Sequence, residues 1–441
     1  MSENKTESNE LLEVVIERIL PGGLGFAHAG GRTVMVALAA PGDRLRVRVD
    51  RVKGNVAFAS IIEIIEPASV RVEPPCPYFG RCGGCNFQQL SYQAQLDAKV
   101  EVIRDCLRRI AGVEDPPPFE ITPAPNEWHY RARAQWQYDS VRRRLGYFEA
   151  NSRSVCDVAE CAVLVSELQQ GLEILRTQMN DGELPDAARY FRAVVGDDGV
   201  SIVAGSGAAQ NVRYLDRARD VTTTISGERY TLNAESFFQT NIDLVPQLTA
   251  AALADIQAET AIELYSGVGL FTVAMARRFK KVIAIEDDRT ACDFARQNLV
   301  DAGLQNAEVV HGDVADWLES LERAGLEGAL DGIAAEQLFS RSKEPSPLRS
   351  AGALQIKAGS RQIDFLLLDP PRTGAESGVI AGIVRLQPKR ICYVSCDPAT
   401  LARDLKKLIA GGYSIASIKA FDMFPQTHHV ETVVHLQSPD V

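Results

Sequence analysis

A thiol carried to the start of a helix can become a nucleophile, and Cys396 stands in such a place. Residues 391–395 are apolar and short enough for a buried strand, and Pro398 opens a helical stretch running through Leu408. Asp397 offers the side chain a helix N-cap needs. Cys396 therefore falls on the turn from a strand's carboxyl end to a helix's amino end, the edge where open α/β sheets gather ligands. The helix dipole at that turn is expected to lower the thiol's pKa. Cys392, four residues earlier in the same strand, is expected to be core.

A second group is Cys76, Cys82 and Cys85, three cysteines within ten residues interleaved with Pro77, Gly80, Gly83 and Gly84. A loop that tight can aim three thiolates at one point, with Cys156 or Cys161 as the fourth. Four thiolates suit either zinc or an iron–sulfur cluster, and spacing does not choose between them. Cys106 falls on the apolar side of a helix over residues 93–110 and reads as core.

The third group lies at strand ends. Residues 260–264 form a buried strand ending at Tyr265-Ser266-Gly267-Val268-Gly269, with a helix over 270–278 after it. Gly267 and Gly269 let a ligand approach the backbone, but the three-glycine dinucleotide fingerprint is absent. The next strand, 281–285, ends in Glu286, an acid placed for ribose hydroxyls. Strand 307–311 ends at Gly312-Asp313, suited to an adenine edge. Strand 364–368 ends in Asp369-Pro370-Pro371-Arg372.

These residues need scaffolding, and 441 residues suffice for two or three domains. Residues 1–68 read as a small β-barrel of oligonucleotide-binding type, with five short strands and glycine and proline turns. Arg44, Arg46, Arg48, Arg51 and Lys53 lay a basic stripe along its fourth strand, beside Phe26 and Phe58 as stacking surfaces. Residues 69–228 form a central α+β domain that carries the cysteine loop, its helix 91–113 packing on the catalytic domain. There Trp128-His129-Tyr130-Arg131-Ala132-Arg133 mixes aromatic and basic side chains along an expected strand, with Arg131 and Arg133 as RNA contacts. Arg142-Arg143-Arg144 reads as a second basic patch or as a hairpin turn. Residues 229–441 alternate strands and helices as a doubly wound sheet. Residues 320–360 form a polar insertion, read as a surface loop. A net charge of −11 predicts no general affinity for nucleic acid, so RNA binding must come from local patches. No apolar run reaches transmembrane length and residues 2–10 are polar, so the cytoplasm follows by default, and nine cysteines there read as thiols or ligands. A monomer with no membrane association is expected.

The cysteine loop, followed by Gln88-Gln89, resembles that of the RNA 5-methyluridine methyltransferases, and the barrel resembles a TRAM domain. The resemblance covers nearly the whole chain. It implies an α/β fold with a seven-stranded, Rossmann-like S-adenosylmethionine-dependent methyltransferase domain, a TRAM barrel and a [4Fe–4S]-bearing central domain. The cluster it implies is structural, with Cys161 as fourth ligand because Glu160-Cys161-Ala162-Val163-Leu164 matches the family's apolar dipeptide after that cysteine. Phe237-Phe238-Gln239-Thr240-Asn241 matches the family's Phe-x-Gln-x-Asn segment, which implies that Gln239 touches cofactor or substrate. Phe424-Pro425-Gln426-Thr427-His428-His429-Val430-Glu431 matches its Phe-Pro-x-Thr-x-His-x-Glu ending, which implies Glu431 as proton acceptor, with His428 and His429 as runners-up. Leu270 departs from the polar cofactor contact that many members carry.

Asp-Pro-Pro also marks methyltransferases of amino nitrogens, which need no nucleophile. Uracil C5 does: a thiolate added to C6 makes C5 able to attack a sulfonium methyl, and a base must then remove the C5 proton. The expected function is methylation of C5 of one uridine, flipped from its stack, in large-subunit ribosomal RNA. Transfer RNA is the alternative. A 5-methylcytidine or amino-nitrogen methyltransferase and a non-catalytic RNA-binding protein are remoter ones.

Overall fold

The computed structural model describes residues 10–207, 213–214, 218–324 and 363–439. The amino-terminal sheet has strands β1 (Leu11–Val15), β2 (Arg18–Ile19), β3 (Gly25–Ala29), β4 (Arg32–Val36), β5 (Arg44–Lys53) and β6 (Val56–Glu66) in the order β1-β5-β6-β4-β3-β2. Strict alternation along β5 sends Leu45, Val47 and Val49 inward and Arg44, Arg46 and Arg48 outward. There are six strands instead of the expected five because the first one breaks. Ile16 donates to Asp43 O at 2.9 Å and Glu17 to Phe26 O at 2.8 Å, so the chain switches partners between β1 and β2.

Helix α1 (Tyr92–Cys106) continues into a wider turn over Leu107–Ala111, and the two-residue strand β7 (Ile121–Thr122) follows. The central sheet contains β8 (Arg133–Asp139), β9 (Arg144–Phe148) and β10 (Val155–Asp157), then, after α2 (Ser166–Asp181), β11 (Tyr190–Gly196), β12 (Gly199–Ser206) and β13 (Arg213–Tyr214). Its order is β10-β9-β8-β11-β12-β13. Leu168, Leu172, Leu175 and Met179 of α2 share a core with Trp136 and Phe191. The strand expected over 128–135 begins only at Arg133. Upstream of it, His129 has φ +52° and donates its N–H to Ala162 O (3.0 Å), while Arg131 donates to Val163 O (2.8 Å). Arg143 has φ +51° in the β8–β9 hairpin, the turn reading of that arginine run.

The pair β14 (Val221–Ile225) and β15 (Glu228–Leu232) and helix α3 (Val245–Leu253) lead into the catalytic sheet. Here β16 (Ala258–Leu264), α4 (Leu270–Ala276), β17 (Phe279–Glu286), α5 (Arg289–Asp301), β18 (Ala307–His311), α6 (Val314–Ala324), β19 (Phe365–Leu368), α7 (Ser377–Leu386), β20 (Arg390–Ser395), α8 (Pro398–Ala410), β21 (Ser414–Phe421) and β22 (Glu431–Gln437) alternate as expected. The order is β18-β17-β16-β19-β20-β22-β21-β7, parallel from β18 to β20, with β22 antiparallel to both its neighbours. The fold is thus α/β, a seven-stranded Rossmann-like sheet, with β7 added at its edge. Apolar strands such as Phe365–Leu368 are buried on both faces, as parallel sheets require. The residues of the expected insertion up to Ala324 complete α6, and residues 325–360 lie outside those described. No helix among the described residues is long and apolar enough to cross a membrane.

Helix α1 buries Val102, Ile103 and Cys106 in one core with Leu401, Leu405 and Leu408 of α8. Its fully buried Lys99 pairs with Asp422 just after β21 and donates to Phe424 O at 3.1 Å. Helix α1, which follows the cysteine loop, is therefore packed directly onto the element that presents Cys396.

Candidate active site and cysteine pocket

Cys396 follows β20 directly. Asp397 caps α8 by accepting from the N–H groups of Ala399 and Thr400, both at 2.9 Å, and Pro398 takes the first helical position. Glu431, almost wholly buried, is the first residue of the neighbouring strand β22. The two chain ends are adjacent because Ser395 pairs with Thr432. Their side chains sense each other: burial and then the Glu431 charge push the Cys396 thiol up to about 12, while Arg372 opposes both. The lowered thiol pKa expected from the helix terminus is not found. Burial and the Asp369 charge lift Glu431 well above the usual carboxylate range, again opposed by Arg372. Burial raises Asp369, at the end of β19, to about 7. His428 and His429 are pushed down to about 4 and about 2 by burial, which leaves both neutral. They line a small cavity with Cys396 and the barrel turn Leu20-Pro21-Gly22.

The cofactor candidates gather around the β16–α4 turn. Tyr265, Gly267 and Gly269 have φ of +64°, +55° and +87°, and a Cβ on Gly269 would lie 3.2 Å from that of Ala295. Glu286 accepts from Gly267 N at 2.7 Å and from Asp287 N and Asp288 N at 3.0 and 2.9 Å, so it ties the turn to the end of β17. Burial raises it to about 7. Asp313 caps α6 through Asp316 N at 3.0 Å. Leu270 is buried, and its carbonyl accepts from Tyr230 Oη at 3.2 Å. Gln239 is buried in the segment leading to α3, next to Phe238, which shares a core with Phe424 and Cys396.

Three residues not singled out from sequence join this site. Arg372 is the cation facing both Cys396 and Glu431. Glu263, inside β16, accepts from Thr272 Oγ1 at 2.6 Å and is raised by burial to about 8, with its Oε1 unpartnered. Ser266 Oγ is also buried without a partner. The signals were present: an arginine directly after Asp-Pro-Pro, and an acid flanked by Ile262 and Leu264 at the buried end of a strand. Polar atoms left unsatisfied at the glycine turn fit a site that closes on a polar ligand.

Cys76, Cys82, Cys85 and Cys161 line one cavity with Gln88, Tyr147 and Arg131. The cysteine loop is shaped by Cys82 N donating to Tyr78 O (2.8 Å) and Gly83 N to Phe148 O (2.9 Å). Cys161 is brought to it by the hydrogen bonds between residues 129–131 and 162–163, while Cys156 is fully buried in β10. Burial raises Cys82 to about 12 and Cys85 to about 11, Arg131 opposing at Cys85. Arg131 Nε and Tyr147 Oη are buried without hydrogen-bond partners. Four soft donors, a buried cation and unsatisfied polar atoms around one cavity fit a bound anionic group. Among the described residues no group of three or more His, Cys, Asp or Glu side chains is gathered as around one metal ion.

The expected RNA contacts fare differently. Arg131 faces the cysteine cavity. Arg133 lies 5.2 Å over the exposed Phe237 ring and donates to Ser236 O at 3.2 Å. Arg46 is paired with Glu13 (3.0 Å) and Glu63, and Arg48 with Asp50 (3.5 Å). The barrel stripe is thus balanced by acids across the strands, and Arg51, stacked 4.0 Å over Phe58, and Lys53 carry its remaining charge.

The comparison with known sequences fits this geometry. The family model described as "tRNA (Uracil-5-)-methyltransferase" matches residues 200–439, and a TRAM domain model matches residues 5–62. The chain belongs to the tRNA (Uracil-5-)-methyltransferase family. Proteins similar to it include the 23S rRNA (uracil(1939)-C(5))-methyltransferase RlmD of Pseudomonas putida, 30% identical over 95% of this chain and 92% of that protein. The RlmD of Pectobacterium atrosepticum is 29% identical over 96% and 92%. An uncharacterized RNA methyltransferase of Thermotoga maritima is 29% identical over 98% and 100%. Among solved structures, the Pyrococcus abyssi tRNA (uracil-54, C5)-methyltransferase in complex with S-adenosyl-L-homocysteine shares the fold, with TM-score 0.68 at 24% identity over 96% of this chain and 100% of that one. Family membership makes the protein an RNA (uracil-5-)-methyltransferase.

Proposed function

We propose that the protein methylates C5 of one uridine in large-subunit ribosomal RNA, using S-adenosylmethionine and a covalent link through Cys396. The observation that carries this reading is a thiol and a carboxyl facing each other at the ends of adjacent strands, with Arg372 and Asp369 beside them. An amino-nitrogen methyltransferase needs no such thiol, because the nitrogen lone pair is the nucleophile. Ribosomal RNA is preferred because relatives named for 23S rRNA match nearly the whole chain, barrel included.

Cys396 Sγ, as thiolate, bonds to uracil C6 and makes C5 nucleophilic. S-adenosylmethionine, when bound, supplies the methyl electrophile and a positive charge that favours the ionised forms of Asp369, Glu431 and Cys396. Glu431 then takes the C5 proton, the C5=C6 bond re-forms, and the C6–S bond breaks to return the thiolate. Arg372 favours the thiolate from the open side of the pocket. Tyr265, Gly267, Gly269, Glu286, Asp313, Asp369 and Gln239 would hold the cofactor, with Glu286, Asp313 and Asp369 as its acids. Cys76, Cys82, Cys85 and Cys161 would hold a [4Fe–4S] cluster, whose role is to fix the loop.

RNA containing 5-fluorouridine tests the chemistry. The wild type should form an adduct that survives denaturation, and Cys396→Ala should form none. Mapping 5-methyluridine on 23S rRNA and transfer RNA incubated with the enzyme tests the substrate, and methylation confined to transfer RNA would overturn that part. A visible absorption spectrum of protein purified without oxygen identifies the metal.

A further inference from the structure

We infer that Asn86, next to the last cysteine of the loop, is a positioning residue for proton removal by Glu431. This rests on the covalent mechanism proposed above. Glu431 begins β22 and pairs with Phe421, so its position depends on the chain that leads into it. That chain is held from outside the catalytic sheet. Gln426 has φ +67°, a left-handed conformation that persists in a non-glycine residue only when its surroundings enforce it. Gln95 of α1 accepts from Gln426 N at 2.9 Å and donates to its side-chain oxygen at 3.0 Å. Gln426 O accepts from Asn86 N at 3.1 Å and Phe87 N at 3.0 Å.

Two residues further on, Asn86 Oδ1 accepts from His428 N at 3.0 Å, and Asn86 Nδ2 lies 2.9 Å from His428 Nδ1. The same Nδ2 reaches Gly22 O of the barrel at 3.5 Å. A Cβ on Gly23 would come within 2.4 Å of Asn86 Nδ2 and 3.0 Å of His428 Cβ. Barrel turn, cysteine loop and catalytic loop therefore meet on one amide with no spare room. Cys396 is held from the other side as well, by the pairing of β20 with β19 and by the Asp397 cap, neither of which involves Asn86. Loss of the Asn86 amide displaces the carboxylate more than the thiol. Bond formation at C6 and methyl transfer to C5 continue. Transfer of the C5 proton to Glu431, re-formation of C5=C6 and expulsion of the Cys396 thiolate slow down.

The two halves are separable because 5-fluorouridine has no C5 proton and stops at the methylated adduct. In the full-length protein, Asn86→Ala should trap 5-fluorouridine RNA within about twofold of the wild-type rate. On ordinary RNA its 5-methyluridine production should fall about tenfold or more, with a methylated covalent complex visible on denaturing gels. Asn86→Asp, which keeps the acceptor for His428 N–H, should recover most of the turnover. Gly23→Ala, which presses the same amide from the barrel side, should reproduce the split and serves if the alanine variant does not fold. Equal losses on both RNAs, or no loss on either, overturn the inference. A wild type that forms no adduct at all overturns the covalent mechanism instead.

Discussion

At Cys396 two effects oppose each other. A helix terminus stabilises a neighbouring anion by about 0.3–1 kcal/mol, whereas each pK unit is worth about 1.4 kcal/mol. Burial lifting the thiol from 9.0 to about 12 outweighs the dipole. Ligand-free enzyme should therefore be alkylated at Cys396 by iodoacetamide far more slowly at pH 8 than free cysteine is, and faster as pH rises toward 10. Arg372→Leu should slow it further, measured by mass spectrometry of the residue 396 peptide. Glu263 gives a second case. Its folded pKa of about 8 lies above the unfolded carboxylate value, so the unfolded chain ionises first as pH rises. Its contribution is complete below about pH 4.3 and is lost on the way to pH 8. Glu263→Gln should accordingly raise the melting temperature relative to wild type at pH 8 and much less at pH 5, read by calorimetry.

At the scale of elements, the places of most candidate residues at strand and helix ends were readable from sequence because those ends are local features. Asp397 and Pro398 announce where α8 starts, and Gly267, Gly269, Glu286 and Asp369 mark strand ends through turn chemistry that needs no distant partner. What escaped depends on tertiary partners. The Arg131 side chain has the composition of an RNA contact, yet hydrogen bonds to residues 162–163 turn it into the cysteine cavity. Lys99 reads as an ordinary helix lysine until Asp422, more than three hundred residues away, is brought against it. Removing one partner of such a pair leaves a buried charge uncompensated, at a cost of about 3–5 kcal/mol. Lys99→Met should lower stability by that order in urea denaturation, and the double change with Asp422→Leu should recover part of it.

For the molecule as a whole, a net charge of −11 leaves RNA affinity to a few cations. Cross-strand acids already occupy Arg46, and exposed pairs of this kind leave little field for a phosphate. Arg46→Ala should change the RNA dissociation constant by less than about twofold, whereas Lys53→Ala should weaken it and reduce the salt slope by about one. Filter binding across a potassium chloride series distinguishes the two.

The outermost strand of the methyltransferase sheet, Ile121–Thr122, comes from a part of the chain more than a hundred residues before the sheet's own first strand. Cutting the gene before residue 229 would strip that cover and leave the backbone groups of Ala420–Asp422 open to whatever strand comes next, a neighbouring copy included. The excised half should precipitate where the intact polypeptide stays dispersed.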